Sequence, residues 1–404
     1  MSSKLLVNVY INMIKNFLII VTLLVSSILS AKQWVEVYSD SPVESSFSYE
    51  SEGLASTRIT FKLSGYFTDN SKSGLKVTSP GGVSLLEKGA PDLPIFSTSI
   101  QVPDLAEMEL EIIESEFVEL NINNIAPSKG NVTRDVNISS LPFEKGYRYR
   151  QNSLYPAEIS FLRHPHIIRS VRGQAVVFQP FQYNPVLGVL RIYTDIVLAI
   201  KQNGLSVDNP LTRYPSKKRG VKEMENIYKN HFPNYMPIND RYTPLDENGS
   251  MLIICHAPFI EAMQPFIDWK VKKGIETTLI DVSTLGDADD IKAFVEEYYY
   301  NHGINFLLLV GDIDQIPSPR FSEGAGSNSP SDTYYGFIPA EDYYPDVFVG
   351  RFSAETEEHV NTMVNRTISY ERYPDTDDGS WYVEGAGFAS NEGPGDDGEY
   401  DYEH

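Results

Sequence analysis

The chain has 404 residues, 41% of them hydrophobic, a single cysteine and a formal net charge of -22. Such a length exceeds one hydrophobic core, so at least two domains are expected. The acidic balance would repel a phosphate backbone and excludes nucleic acid as a partner, leaving basic peptides or calcium, and one cysteine, Cys255, excludes an intrachain disulfide.

At the amino terminus, Lys4 and Lys15 precede the apolar run FLIIVTLLVSSIL at 17–29, and the small residues Ser30 and Ala31 follow. A basic lead, a short apolar core and small residues at the break predict a signal peptide over 1–31. The run is too short to span a bilayer comfortably. The mature chain is therefore expected to start near Lys32 and to be secreted, with no membrane span once the signal is removed.

From 32 to 205 the texture is β. TRITFKL at 57–63 places Ile59, Phe61 and Leu63 on one face of a strand, and the stretch 174–200 reads as two strands around a turn at Asn184, Pro185 and Gly188. Prolines and glycines punctuate the rest. An antiparallel β-sandwich is the economical reading. Residues 206–241 are polar and dotted with proline, carry the basic cluster KKRG at 217–220, and have the composition of a linker. Arg241 in such a stretch is accessible to a trypsin-like peptidase, which would cut between Arg241 and Tyr242.

After Ser250 the texture changes. MLIICHA is a short apolar strand, and Phe259, Ala262, Met263, Phe266 and Ile267 follow at helical spacing until Gly274. The strand ETTLIDV precedes a helix opened by Asp289 or Asp290, and INFLLLVGD has the continuous apolarity of a strand buried on both faces. DVFVGRF at 346–352 is another strand, followed by a helix capped by Ser353, and a last strand is expected near 384–390. Alternating strands and helices predict a parallel α/β sheet flanked by helices over 242–404. The sheet is expected to be incomplete at the carboxyl end, because the chain stops in a loop where eleven acidic residues from Glu371 onward face one basic residue, Arg372.

Sites in such sheets collect beyond the carboxyl ends of the strands. Those ends carry His256, Asp281, Gly311 with Asp312, Arg351, and Ser390 through Glu392. Cys255 and His256 are neighbours on a strand and point to opposite faces, so they cannot form a nucleophile–base pair. Cys255 reads as a buried core residue. The sequence lacks a Gly-x-Ser-x-Gly elbow, a phosphate loop and a zinc-binding His-Glu-x-x-His. Asp342 and Asp346 bracket a tight aromatic turn at a spacing that could hold calcium, or could simply be a solvated turn.

Several segments in register, among them EKGAPDLPIFSTSIQVP, RYTPLDENGSMLIICHAPFIEAMQPFIDWKVKKG, FLLLVGDIDQIP, SDTYYG, DYYPDVFVGRFS and ASNEGPGDDGEYDYEH, resemble the gingipain family of secreted cysteine peptidases. The resemblance implies a β-sandwich propeptide followed by the amino-terminal part of a caspase-like α/β peptidase domain. It implies that the nucleophilic cysteine and the basic histidine lie beyond residue 404, so that this stretch alone would be inactive. Glu392 matches the glutamate that orients the catalytic imidazole, and Asp401 the aspartate at the base of an arginine-specific pocket. Asp342 and Asp346 match a structural calcium site. Arg241 followed by Tyr242 matches the maturation junction, which makes the β domain a propeptide. Its basic loop at 146–152 would offer Arg148 or Arg150 to the pocket. Partners are then protein or peptide substrates with basic residues and the chain's own propeptide. The alternative is a non-catalytic secreted α/β protein that binds basic peptides or calcium.

Overall fold

Alternating apolar residues in the first half of the chain produce strands whose inner faces meet. The computed structural model describes residues 32–37, 45–71, 73–132, 136–212, 221–237, 248–320, 329–338, 344–377 and 379–387. The strands of the first half are β1 (Gln33–Glu36), β2 (Ser46–Ser51), β3 (Ser56–Lys62), β4 (Gly65–Ser71), β5 (Gly74–Thr78) and β6 (Val83–Ser84). They continue as β7 (Pro94–Gln101), β8 (Ala106–Asn121), β9 (Ser160–Ile168), β10 (Val171–Phe178), β11 (Phe181–Asn184) and β12 (Val189–Leu205). They form antiparallel sheets in the orders β1-β4-β5, β6-β7-β10-β9 and β11-β12-β3-β2, with β8 also paired to β12.

Two of these sheets face each other. Phe61 of β3 lies 5.0 Å from Phe96 of β7 and 5.3 Å from Phe178 of β10, ring centre to ring centre. Ile59, Leu63, Ile196, Leu198 and Ile200 fill the same core, each fully buried. That is the sandwich the alternation predicts. The turn expected at Asn184 is present: Asn184 Oδ1 accepts from the amides of Val186 and Leu187, and Gly188 supplies a left-handed residue (φ 65°) before β12.

Linker composition hides structure. Within 206–241, helix α1 (Lys222–His231) buries Met224 and Tyr228. Asn234 then accepts from the amide of Gln101 on β7 and donates to its carbonyl, while the Met236 amide donates to the Gln101 side chain. Residues 221–236 are thereby stitched to the β domain.

The second half contains β13 (Ser250–Cys255), α2 (Ile260–Lys272), β14 (Glu276–Asp281), α3 (Ala288–His302), β15 (Phe306–Val310), β16 (Phe348–Phe352) and α4 (Glu357–Arg372). The sheet order is β14-β13-β15-β16, every pair parallel. Because β13 and β15 are apolar on both sides, one face packs with Ile291, Val295 and Tyr299 of α3 and the other with Met263 and Phe266 of α2 and Val360 and Val364 of α4.

Three sequence expectations shift. Helix α3 is capped by Asp287, whose carboxylate accepts from the amides of Asp289 and Asp290 while Asp290 reaches back to the Asp287 amide. Helix α4 is capped by Thr356 and not Ser353, whose hydroxyl instead donates to Asp312 Oδ1 at 2.7 Å. The part of the expected last strand that lies among the described residues, 384–387, forms none, and a Cβ built on Gly385 or Gly387 meets no atom of the described residues within 4 Å.

Helices α2 and α4 are clamped by one carboxylate. Glu371 accepts from Lys270 Nζ at 2.6 Å, Trp269 Nε1 at 2.8 Å and Lys273 Nζ at 2.9 Å. Burial alone would raise its pKa, but these donors outweigh it and hold the carboxyl down at about 2. The Glu371→Ala variant leaves the buried Lys270 ammonium without its carboxylate and is expected to cost about 3 kcal/mol in a urea melt at pH 7. Since the folded pKa lies below the unfolded one, this contribution is complete above the unfolded pKa of about 4.3 and fades as pH falls toward 2. The gap between wild type and variant should close over that window.

Candidate functional site

In a sheet of order β14-β13-β15-β16 the chain reverses its winding between β13 and β15, and the connections that follow those strands leave to opposite faces, which is where sites form in such sheets. The sequence brings five of its nominated residues to that rim, Arg351 among them. His256 follows β13, its amide donating to Val310 O at 3.0 Å, and its ring sits edge-on to Phe259. Asp281 ends β14, and Gly311 and Asp312 follow β15. Gly311 has φ 143°, and a Cβ there would approach the Gln315 Cβ at 2.9 Å, so the tight exit from β15 requires glycine.

Arg351 of β16 locks the rim. Its Nε and Nη2 donate to the two oxygens of Asp332 at 2.8 and 2.7 Å, and its Nη1 donates to Gly311 O at 2.9 Å. Partial burial pushes the Asp332 carboxyl up, yet the guanidinium more than offsets it and the pKa ends below the usual range. Asp312 is also held below its usual range, by the Ser353 hydroxyl and then by the Ile313 amide. The result is a hydrogen-bonded floor of main chain and ion pair. Asp332 went unnoticed in the sequence because its partner is 19 positions away on another element.

Cys255 is fully buried, and its thiol is pushed up to about 12 by burial and, secondarily, by Asp281. It is a core residue, as the alternation along β13 implies, and cannot supply a thiolate at neutral pH.

The acidic residues nominated by resemblance do not converge on this rim among the described residues. Glu392, Asp401, Arg241, Tyr242 and Asp342 lie outside them. Asp346 lies at the opposite, amino-terminal edge of the sheet, just before β16, and is 1% exposed. Its Oδ1 accepts from the Arg169 amide at 2.6 Å and its Oδ2 from the Ile338 amide at 3.0 Å, while its carbonyl accepts from the Arg169 guanidinium at 2.8 Å. Both carboxylate oxygens of Asp346 thus accept main-chain amides, and Asp342, the other expected calcium ligand, lies outside the described residues. Among the described residues no cluster of three or more His, Cys, Asp or Glu could hold a metal. Arg148 is likewise committed elsewhere, donating from Nε to Glu87 at 3.0 Å within the β domain, whereas Arg150 is exposed.

Comparison with known proteins gives two family matches in succession: the propeptide of family C25 over residues 48–237 and peptidase family C25 over 244–403. The chain is 40% identical to gingipain R1 of Porphyromonas gingivalis over 332 residues, 80% of this chain and 32% of that protein. It is 39% identical to gingipain R2 of P. gingivalis strain W83, over 80% of this chain and 44% of that protein. Lys-gingipain HG66 of the same organism is 26% identical over 73% of this chain and 18% of that protein. The chain thus spans between about a fifth and a half of the length of these relatives. Among solved structures, a complex of the pro- and mature domains of P. gingivalis RgpB matches with 34% identity and a TM-score of 0.42, covering 47% of this chain and 98% of that one. The Arg-specific cysteine proteinase gingipain R (RgpB) matches with 35% identity and a TM-score of 0.29, covering 33% of this chain and 31% of that one.

Proposed function

The chain belongs to peptidase family C25, and from that premise we propose that it carries the propeptide and the first part of the catalytic domain of a secreted cysteine endopeptidase that cuts after basic residues, arginine preferred. The observation that carries this reading is the order of the two family segments, with Arg241 and Tyr242 in the short interval between residues 237 and 244 where one ends and the next begins. The folding pattern supports the same boundary. Residues up to Met236 are hydrogen-bonded to β7, whereas the Asn248 side chain donates to Lys273 O at the end of α2.

In this reading the rim at His256, Gly311 and Arg351 is the rigid shelf on which the reacting groups assemble. Glu392 holds the imidazole of the catalytic histidine in one tautomer and stabilises the imidazolium, and Asp401 faces the guanidinium of the substrate. The nucleophile is a cysteine other than the buried Cys255. Secretion is supported by the basic and apolar pattern of residues 1–31, and no helix among the described residues is long and apolar enough to cross a membrane.

Limited digestion of the purified chain with a mature arginine-specific family member tests the junction. A new amino terminus at Tyr242 is expected, and Arg241→Ala should abolish it. Cleavage confined to the basic cluster at 217–220, with none after Arg241, would remove the junction from this reading.

A further inference from the structure

The turn between β9 and β10 contains only Arg169 and Ser170, since Ile168 pairs with Val171. Arg169 has φ 53°, whereas Ser170 stays on the negative side. A two-residue hairpin with positive φ at its first position alone favours glycine there. An arginine in that position is held in a disfavoured backbone conformation, and its side chain explains why it is tolerated. The guanidinium leaves the β domain and enters the α/β domain, where the residue is 2% exposed. Its Nη1 donates to Ile304 O and to Asp346 O, each at 2.8 Å, and its Nη2 lies 3.5 Å from Gly303 O. Gly303 and Ile304 follow α3, where the helix dipole is negative, and the Gly303 carbonyl also accepts from the Ser250 hydroxyl at 3.3 Å. The guanidinium also lies over the Tyr299 ring at 5.1 Å. The Arg169 amide donates to the Asp346 carboxylate, so main chain and side chain of one residue are gripped together.

An apolar collar surrounds this contact. Ile168 and Val171 pack with Met224, Tyr228 and Phe232 from the α1 region and with Phe348 of β16. His166 of β9 stacks on Tyr344 with ring centres 4.4 Å apart. A Cβ built on Gly249 would lie 2.6 Å from Val221 Cγ1, so the chain entering β13 approaches the start of α1 closely. Gly249, Gly303, Ile304 and Asp346 all precede strands of the parallel sheet, which puts this joint at the edge opposite the rim described above. Every β-domain residue in it precedes Arg241.

We propose that the Arg169 turn is a docking plug whose receptor is the amino-terminal edge of the α/β sheet, and that it holds the β domain in place after the connecting chain is cut. The proposal rests on the reading of residues 32–241 as a propeptide. Cleavage after Arg241 then does not release the β domain; release requires the plug to be withdrawn or destroyed. Buried guanidinium contacts of this kind dominate dissociation, so their loss should weaken pairing about thirty- to several-thousand-fold.

The test uses the full chain with a recognition site for a sequence-specific endopeptidase inserted between Arg241 and Tyr242. After cutting, the two parts are followed by size-exclusion chromatography over a dilution series. The wild-type parts are expected to co-elute, and R169G to separate at concentrations where wild type stays paired. Glycine suits the backbone of the turn, so the R169G β domain should keep its circular dichroism and its melting temperature. Should R169G fail to fold, R169K decides: it keeps the charge, loses the fork, and is expected to weaken pairing at least about tenfold. Wild-type parts that separate on cutting, or folded R169G or R169K parts that pair as tightly as wild type, would overturn the proposal. None of these readouts needs peptidase activity, so a failed junction digest would count against the zymogen reading without touching the docking result.

Discussion

Replacing Arg172 with alanine is expected to destabilise the β domain by about 4 kcal/mol or more, since each hydrogen bond from a charged group is worth about 1.5 to 3 kcal/mol. Arg172 is fully buried on β10. Its Nε donates to Asn209 O at 2.9 Å, its Nη2 to Asp208 O at 3.0 Å, and its Nη1 to Pro103 O at 3.1 Å and Ala106 O at 2.7 Å. One side chain thus satisfies four main-chain acceptors and ties the segment after β12 to the start of β8. Alanine removes all four bonds and leaves a cavity the size of the lost side chain, although Pro103 O keeps the Ala106 amide and Asp208 O the Ser206 hydroxyl. Whole domains have only about 5 to 15 kcal/mol in hand, so the variant should be mostly unfolded in low urea. A urea melt followed by tyrosine fluorescence and circular dichroism measures this. A loss below about 1.5 kcal/mol would mean that water replaces the guanidinium, because a bridging water recovers most of a hydrogen bond.

The second large effect is on specificity. If the proposed arginine pocket is right, Asp401→Asn in an active peptidase that carries this chain is expected to lower kcat/KM for substrates with arginine before the scissile bond by roughly 2 to 5 kcal/mol, or about thirty- to several-thousand-fold. On the role proposed for Asp401, asparagine keeps the shape and removes the charge that would face the guanidinium, while other substrate contacts remain. Citrulline, the uncharged counterpart of arginine, provides the control. Wild type should discriminate strongly between arginine and citrulline, and Asp401→Asn should erase most of that difference. A variant that still prefers arginine by the wild-type margin would place the pocket carboxylate at another residue.

Period-two alternation at Ile59, Phe61 and Leu63 was enough to predict an inward face, because side chains on a strand alternate whatever lies opposite. The continuous apolar run at 306–310 likewise announced a strand covered on both sides, and helical spacing at 259–267 a helix packed on one. The burial of Cys255 followed from its place in such a strand. These are local properties of the chain, carried by spacing and composition. Helix α1 escapes a sequence reading because its polar residues and the flanking prolines resemble a linker, and the few residues it buries, Met224 and Tyr228, find their partners in the β9–β10 hairpin and at Phe348 of β16.

The polar contacts were decided elsewhere. Asp346 stands out in the sequence by its spacing to Asp342, but nothing there signals that its carboxylate receives the amide of a residue 177 positions earlier. Arg169, Arg172 and the Arg351–Asp332 pair carry no signature along the chain, because a guanidinium reaches several ångströms in any direction and its acceptors are mostly main-chain carbonyls, which every residue possesses. Alternation and period therefore specify which face of an element is buried. Which carbonyl or carboxylate meets a given charge follows only when the sheets and helices have packed, since that meeting depends on distances between elements that no local pattern encodes.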